Sequence, residues 1–386
     1  MPLTKLQFKP GINRDVTSYS NEGGWVDSDK VRFRLGFPEK IGGWVKYSSN
    51  TFLGSCRALH TWVTLAGTQY LGLGTNLKYY LEIGQSFSDI TPIRKTSTDS
   101  ITFAATDGSS TLAVTDSSNG VVVGDFVTFS GAATLGGVIT ATVLNQEYQV
   151  SGVTSANVYS VVAKDTDGVA VTANSSDSGN GGSGVDGLYQ INVGLDTEVG
   201  GTGWGAGTWG RSTWGSGTDI STTTELRIWS HDNFGEDLLI NPRDGGVYYW
   251  DASATNAFTT RAVEISTLTG ASDTPTVAKQ IMVADNSRHV IAFGTNTLGT
   301  TVQDSLLIRF SDQESFLDWT PKATNSAGDL RIGSGSNFVR AIETKREILI
   351  WTNSSLQTMQ YLGPPFVYGI QPLASNITIM GANAVA

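Results

Sequence analysis

Three carboxylates crowd the stretch RFSDQESFLDW, residues 309–319: Asp312, Glu314 and Asp318. Paired Asp and Glu side chains are the working groups of glycoside hydrolysis, one as acid and the other as base or nucleophile. The same spacing also suits a turn, because an aspartate after Ser311 can bond its own backbone. On that reading Asp312 shapes a loop at a sheet edge and Trp319 plugs the gap beside it. This is the role expected for the pair, with sugar binding or glycoside cleavage as the alternatives.

Other chemistry is offered and mostly refused. The three histidines, His60, His231 and His289, stand far apart in the chain, in no metal-ligand spacing. There is no nucleophile elbow and no phosphate-binding loop of the G-x-x-x-x-G-K-[ST] kind. GAGTWG, residues 205–210, matches the dinucleotide pattern in letters only, since no βα unit precedes it and no helix follows. GGSGVDGLY, residues 181–189, matches one nonapeptide of a calcium-binding β-roll, and such sites need stacked copies. No catalytic residue, cofactor or metal is therefore expected. The lone Cys56 excludes an internal disulfide and reads as a small buried hydrophobe. In DKVRFRL, Lys30, Arg32 and Arg34 alternate with Val31, Phe33 and Leu35, which puts three cations on one face of a strand. That face is either solvated or turned towards an acidic partner or a nucleic-acid backbone.

The elements that must position these residues are strands. Apolar residues come in short runs bounded by Gly, Asn, Asp and Ser, and no amphipathic helix longer than two turns is visible. Charged residues are only 16% of the chain and the net charge is −10, a poor balance for gripping DNA phosphates. No run nears the ~18 apolar residues of a membrane span, and MPLTKLQFKPGINRD lacks the apolar core of a signal peptide. A soluble, cytoplasm-folded protein is expected. Four segments share one pattern, with cores QYLGLGTNLKYYLE, DLLINPRDGGVYYWD, HVIAFGT…DSLLIRFSD and EILIWTNSSLQTMQYL. Such repeats, each worth four strands, are the mark of β-propeller blades.

Between the first and second repeats the style changes. Residues 99–193 hold eight Asp, one Glu and one Lys, most of the chain's net charge. They read as an inserted small β-barrel or sandwich, with GVITATVLN as one of its strands and NSSDSGNGGSGVDG as a flexible tether at its end. The expected organisation is an arm at 1–50, a first blade at 51–95, the insert at 96–193, a Gly/Trp-rich loop at 194–224 and further blades at 225–386. The loop carries GTGWG-AGTWG-RSTWG, with Trp204, Trp209 and Trp214 five apart. Glycine-kinked backbone can turn all three rings to one surface, here a neighbouring blade or an adjacent subunit.

Several of these pieces together resemble one family. GINRDVTSYSNEGGWVDSDKVRFRLGFPEKIGGW near the start is similar to the opening of the tail-nozzle proteins of short-tailed bacteriophages, also called DNA-stabilisation or tail tubular proteins. EDLLINPRDGGVYYWD, LLIRFSDQESFLDWTP and REILIWTNSSLQTMQYLGPPFVYGIQPL resemble successive blades of that family, and the Trp-Gly pentads a segment some members carry. The likeness covers roughly 1–95 and 195–386. SDQESFLDW also resembles, loosely, the Asp-box turn of sialidase propellers, itself a structural turn. The nozzle resemblance implies a virion tail protein, assembled in the host cytoplasm as a homo-oligomeric, hexameric ring below the portal-adaptor ring proteins. It implies docking of tail fibre or spike proteins, retention of packaged DNA and transient, non-specific passage of the double strand. Six copies would carry about −60, a field that repels DNA. Members usually run further, with more blades, so the chain is expected to be a fragment. A carbohydrate-binding propeller that recognises a host receptor is the alternative.

Overall fold

The computed structural model describes residues 9–43, 45–194 and 225–385. The chain divides into two compact units, Met1–Asn50 and Thr51–Ala386. In the first, the alternating stretch forms β1 (Val31–Arg34), paired through a two-residue turn with β2 (Phe37–Lys40). Val31 and Phe33 are half-buried while Arg32 and Arg34 are exposed, as a period of two requires. Lys30 departs from the expected face: its φ of 57° places it in the turn before β1.

In the second unit the first repeat is a four-stranded antiparallel meander, β3 (Cys56–Val63), β4 (Gln69–Thr75), β5 (Tyr79–Ile83) and β6 (Ser86–Asp89). Next comes an eight-stranded sheet made of β7 (Ile93–Ser97), β8 (Thr102–Ala105), β9 (Thr111–Thr115), β10 (Phe126–Ser130), β11 (Glu147–Ser155), β12 (Val158–Val162), β13 (Asp177–Asn180) and β14 (Asp186–Gln190). Its order is β13-β8-β9-β12-β11-β10-β14-β7, curled around one core containing Phe103, Leu112, Phe129, Tyr159 and Tyr189. Because β7 pairs with β14, blade 1 ends at Asp89, earlier than the sequence boundary at 95.

Three more meanders follow. Blade 2 is β15 (Trp229–Phe234), β16 (Asp237–Pro242), β17 (Tyr248–Trp250) and β18 (Val263–Glu264). Blade 3 is β19 (Gln280–Val283), β20 (Val290–Phe293), β21 (Leu307–Phe310) and β22 (Gly328–Arg331). Blade 4 is β23 (Phe338–Glu343), β24 (Ile348–Thr352), β25 (Ser355–Gly363) and β26 (Val367–Ser375). The fold is all-β: propeller-like blades with an inserted β-module. No helix among the described residues is long and apolar enough to cross a membrane.

The apolar runs are continuous because both faces of a blade are buried. On β16, Leu238 and Ile240 pack on blade 1 beside Trp62, Tyr79 and Leu81, while Leu239 turns to Ile281 and Val283 of blade 3. On β20, Val290 and Ala292 join that second seam, and Ile291 and Phe293 meet Phe338 and Ile350 of blade 4. Each Val, Leu, Ile or Phe among them contributes roughly 1.5–3 kcal/mol when fully buried. At the first seam Trp229 lies across β4 and donates its indole N–H to the Thr75 carbonyl at 2.7 Å. A Cβ on Gly74 would meet the Trp229 ring at 2.4 Å, so only glycine lets the ring in.

Three expectations are corrected. GVITATVLN is not a strand: it contains α1 (Ala141–Leu144), capped by the Thr140 side chain accepting from the Val143 amide. NSSDSGNGGSGVDG is not a tether: β13 lies in it and pairs with β8, and Gly181, at φ 124°, sits where a Cβ would strike Phe103. Cys56 is exposed, not buried; β3 is an inner edge strand, and Leu59 and Val63 on it are also exposed.

One buried cation ties three modules together. Lys78, only 2% exposed, lies 2.6 Å from Asp89 of blade 1 and 2.6 Å from Glu147 of the insert. Arg261 of blade 2 reaches Asp89 at 3.1 Å, and Gln190 of the insert donates to Glu147 at 2.6 Å. The Lys78 ammonium also sits 4.6 Å from the Phe126 ring centre.

Two substitutions test these contacts by denaturant unfolding. Gly74→Ala should cost about 1–3 kcal/mol by overpacking, while Gly333→Ala, with open space around its Cβ, should stay within roughly 0.5 kcal/mol of the parent. Lys78→Met should cost about 2–4 kcal/mol, because it strands two carboxylates against one arginine; equal stability would remove the junction from the account.

Candidate functional site along the blade axis

The carboxylates of 309–319 are held by their own loop. The Asp312 carboxylate accepts from the Gln313 amide at 2.9 Å, the Ser326 amide at 2.8 Å and the Ser326 hydroxyl at 2.7 Å. Burial pulls this carboxyl upward, but the Ser326 and Gln313 hydrogen bonds outweigh it and hold it below the usual aspartate range. Glu314 pairs with Arg288 at 2.8 Å, and Asp318 with Lys322 at 2.9 Å and the Asn325 amide at 3.1 Å. Trp319 is 1% exposed and lies in the seam between blades 2 and 3, beside Ile281 and Val283. The loop is thus a turn with a tryptophan anchor.

A constellation the sequence did not announce lies beside it. Ser326 Oγ is also 3.0 Å from Nε2 of His289, so Asp, Ser and His meet. The connectivity is wrong for a nucleophile. In an activated serine the imidazole stands between hydroxyl and carboxylate, whereas here the serine stands in the middle. His289 is fully buried among Phe310, Tyr361 and Tyr368, and burial pushes its pKa down.

The first strands of successive blades, β3, β15, β19 and β23, meet one after the next, and polar side chains collect where they meet. In an antiparallel sheet every second N–H of an edge strand points away from its partner. On β19 these are the amides of Ile281 and Val283, followed by Asp285. Ser230 Oγ accepts from Ile281 at 3.0 Å, Asp232 from Val283 at 2.8 Å, and Glu343 from Asp285 at 3.0 and 3.2 Å. Gln280 caps β23 in both senses, donating to the Ala341 carbonyl at 2.8 Å and accepting its amide at 2.9 Å. Blades 2, 3 and 4 therefore satisfy one another's open edges at these positions.

Two histidines far apart in the chain meet here, His60 and His231, with ring centres 4.9 Å apart and planes tilted by 33°. His60 Nε2 meets Asn233 Oδ1, and the Tyr79 hydroxyl meets His231 Nδ1 at 3.1 Å. Burial first, then the nearby His60 and Arg340, push His231 down to about 3, so its ring stays neutral. Glu343 moves the other way: burial, with the Asp285 and Asp232 charges, raises it to about 7. At the opposite end of the inner strands Glu225 binds Arg243 at 3.1 Å, Lys279 at 3.3 Å and the Asn337 amide at 2.8 Å. Among the described residues no group of three or more His, Cys, Asp or Glu could hold a metal ion.

Of the cations expected on one strand face, Arg32 and Arg34 share it and Lys30 does not. Arg32 is matched across the hairpin by Glu39 at 3.1 Å. Trp204, Trp209 and Trp214 lie outside the described residues.

No family model and no curated protein matches the chain. Among solved structures, the phage phi92 endosialidase aligns over 84% of this chain and 44% of its own length, at 12% identity and a TM-score of 0.22. The chain thus spans less than half of that protein, and a superposition this loose carries no argument about activity.

Glu343 gives a pH test. Its folded pKa lies above its unfolded value, so its contribution is fully present below about 4.5 and is lost as pH rises through about 7. Glu343→Gln keeps an acceptor for the Asp285 amide without the charge. Its melting temperature should exceed the parent's at pH 8, and the gap should shrink towards pH 5; a gap independent of pH would place the titration elsewhere.

Proposed function

We propose that this chain is a structural subunit of a short-tailed phage tail, of the nozzle type that closes the DNA channel, retains packaged DNA and conducts it during ejection. One observation carries the reading. The three segments that resemble nozzle blades, beginning at Glu236, Leu306 and Arg346, fold consecutively into blades 2, 3 and 4. The Asp312, Glu314 and Asp318 carboxylates are spent on a turn and on ion pairs, which supports a scaffold rather than a glycosidase. The low content of charged residues and net charge of −10 suit a surface past which DNA slides.

On this reading the partners are further copies of the chain in a hexameric ring, the portal-adaptor ring above it and fibres or spikes at its side. The Trp204, Trp209 and Trp214 loop is assigned to the ring interface and the Arg32/Arg34 face to an acidic partner. Mass photometry and electron microscopy of the purified chain, alone and with adaptor rings, should show ring-shaped particles of six subunits that bind the adaptor. A monomer at micromolar concentration with no affinity for adaptor rings would defeat the reading. Glycan-array binding would instead favour the receptor-recognition alternative.

A further inference from the structure

The turn between β1 and β2 is built in an unusual way. Both of its central residues have positive φ, Leu35 at 51° and Gly36 at 86°. Such a turn favours Asn, Asp or Gly in its first place, because a bulky side chain strains the left-handed backbone. Here the place holds a leucine, and it is 92% exposed. Phe37 beside it is 69% exposed, and all four residues of β2 face solvent. A strained backbone that holds out an apolar side chain points to a surface that receives it.

The rest of the arm has the same need. Among the described residues of the 1–50 unit no apolar side chain is buried, and a two-stranded hairpin is marginal in water by itself. Charge narrows the kind of surface that fits. Residues 1–50 carry eight Lys and Arg against five Asp and Glu, a net of +3. Arg34, next to the leucine, is exposed and has no carboxylate within ion-pair distance among the described residues.

A groove of about 470 Å³ lies where the acidic module meets blade 1. Leu53, Leu77, Phe126 and Val162 give it an apolar lining, and Leu53 is half exposed. Lys164 and Asp165 stand on its lip, with Asp167 just beyond. Asp165 accepts from the Asp167 amide at 3.0 Å and the Val169 amide at 2.8 Å, and neither aspartate forms an ion pair among the described residues. The module, with its net of −8 over residues 99–193, is the complement of a basic arm, and an apolar cleft is the complement of an apolar tip.

We propose that the β1–β2 tip of one copy docks in this groove of a second copy, with Leu35 and Phe37 against Leu53 and Leu77 and Arg34 towards Asp165 and Asp167. The choice of another copy as occupant rests on the ring reading above. Tip and groove are different surfaces, so the contact is head-to-tail. Each copy offers an arm to one neighbour and a groove to the other, the kind of contact from which rings are closed.

The test is mass photometry of the full chain and two variants, alone and mixed. Leu35→Asn gives the turn a residue it favours and removes the apolar tip, so it should melt no lower than the parent. Leu53→Glu places a charge in the groove at a half-exposed position. Each should weaken self-association at least about tenfold. Mixed, the two should form a heterodimer and stop there, because the Leu53→Glu chain keeps its arm and the Leu35→Asn chain keeps its groove. A benzophenone amino acid in place of Leu35, in mixtures of isotope-labelled and unlabelled chains, should cross-link to groove residues of a chain with the other label. Parent-like association of Leu35→Asn overturns the inference and leaves the nozzle reading standing, since rings then form through another contact. Cross-links confined to one chain or to another surface overturn it too, as does a mixture, or a parent chain, that stays monomeric. Association that Leu35→Asn abolishes, but that never yields six-membered rings, upholds the inference and counts against the nozzle reading.

Discussion

An inner strand with an open edge is the constraint on which the rest of this fold depends. A radial blade leaves its first strand unpaired on one side, and buried N–H groups there would each cost free energy if left alone. Here the answer is a side chain from the next blade. Ser230, Asp232, Gln280 and Glu343 each reach over to the edge of an adjoining inner strand. The apolar seams supply most of the attraction between blades, but these bonds set the register in which the seams meet. A blade displaced by one residue would present Met282 where Ile281 now points, and both the lacing and the core would fail together.

The same device explains the odd electrostatics of the axis. Carboxylates recruited as caps are drawn into a crowded, partly dry space, which is why Asp232 and Glu343 hold their protons more tightly than free acids do. The histidine pair is the counterpart: His231 tolerates burial only by staying neutral. Architecture comes first at these positions, and their perturbed acidity follows from it. Perturbed groups in a cleft often signal catalysis; here Asp232 and Glu343 hold backbone amides of β19 and its extension, and His231 lies against the His60 ring.

Much of the architecture was legible because blades buried on both faces write themselves as unbroken apolar runs. DLLIN and HVIAF could be little else, and the SDQESFLDW stretch declared both its turn and its tryptophan. What escaped is instructive. GVITATVLN reads as a strand by composition, yet Thr140 caps a helical turn that the module's core stabilises. NSSDSGNGG looks too polar and too rich in glycine for a strand, yet the edge of a curled sheet accepts such a segment when Phe103 needs the space. Lys78 and His289 gave no signal at all, since a lone polar residue in a turn between strands looks solvated until the blades are assembled around it. The meeting of His60 with His231 is likewise a product of tertiary closure, not of spacing.

The way the acidic module is attached affects how the molecule can reach this state. The seam between blades 1 and 2 joins residues 154 positions apart, as in the Trp229 to Thr75 bond. The module enters on β7 and leaves on β14, and these strands lie side by side, with Gln190 opposite Ile93. Once its own sheet has formed, nearly a hundred residues drop out of the loop that the seam must close. By chain-entropy scaling that lowers the closure cost by roughly 1 kcal/mol and makes a distant contact kinetically near. The insert is thus a shortcut as well as an ornament, and Glu147 and Gln190, at its base, are placed to meet Lys78 when the two ends of that shortened loop come together.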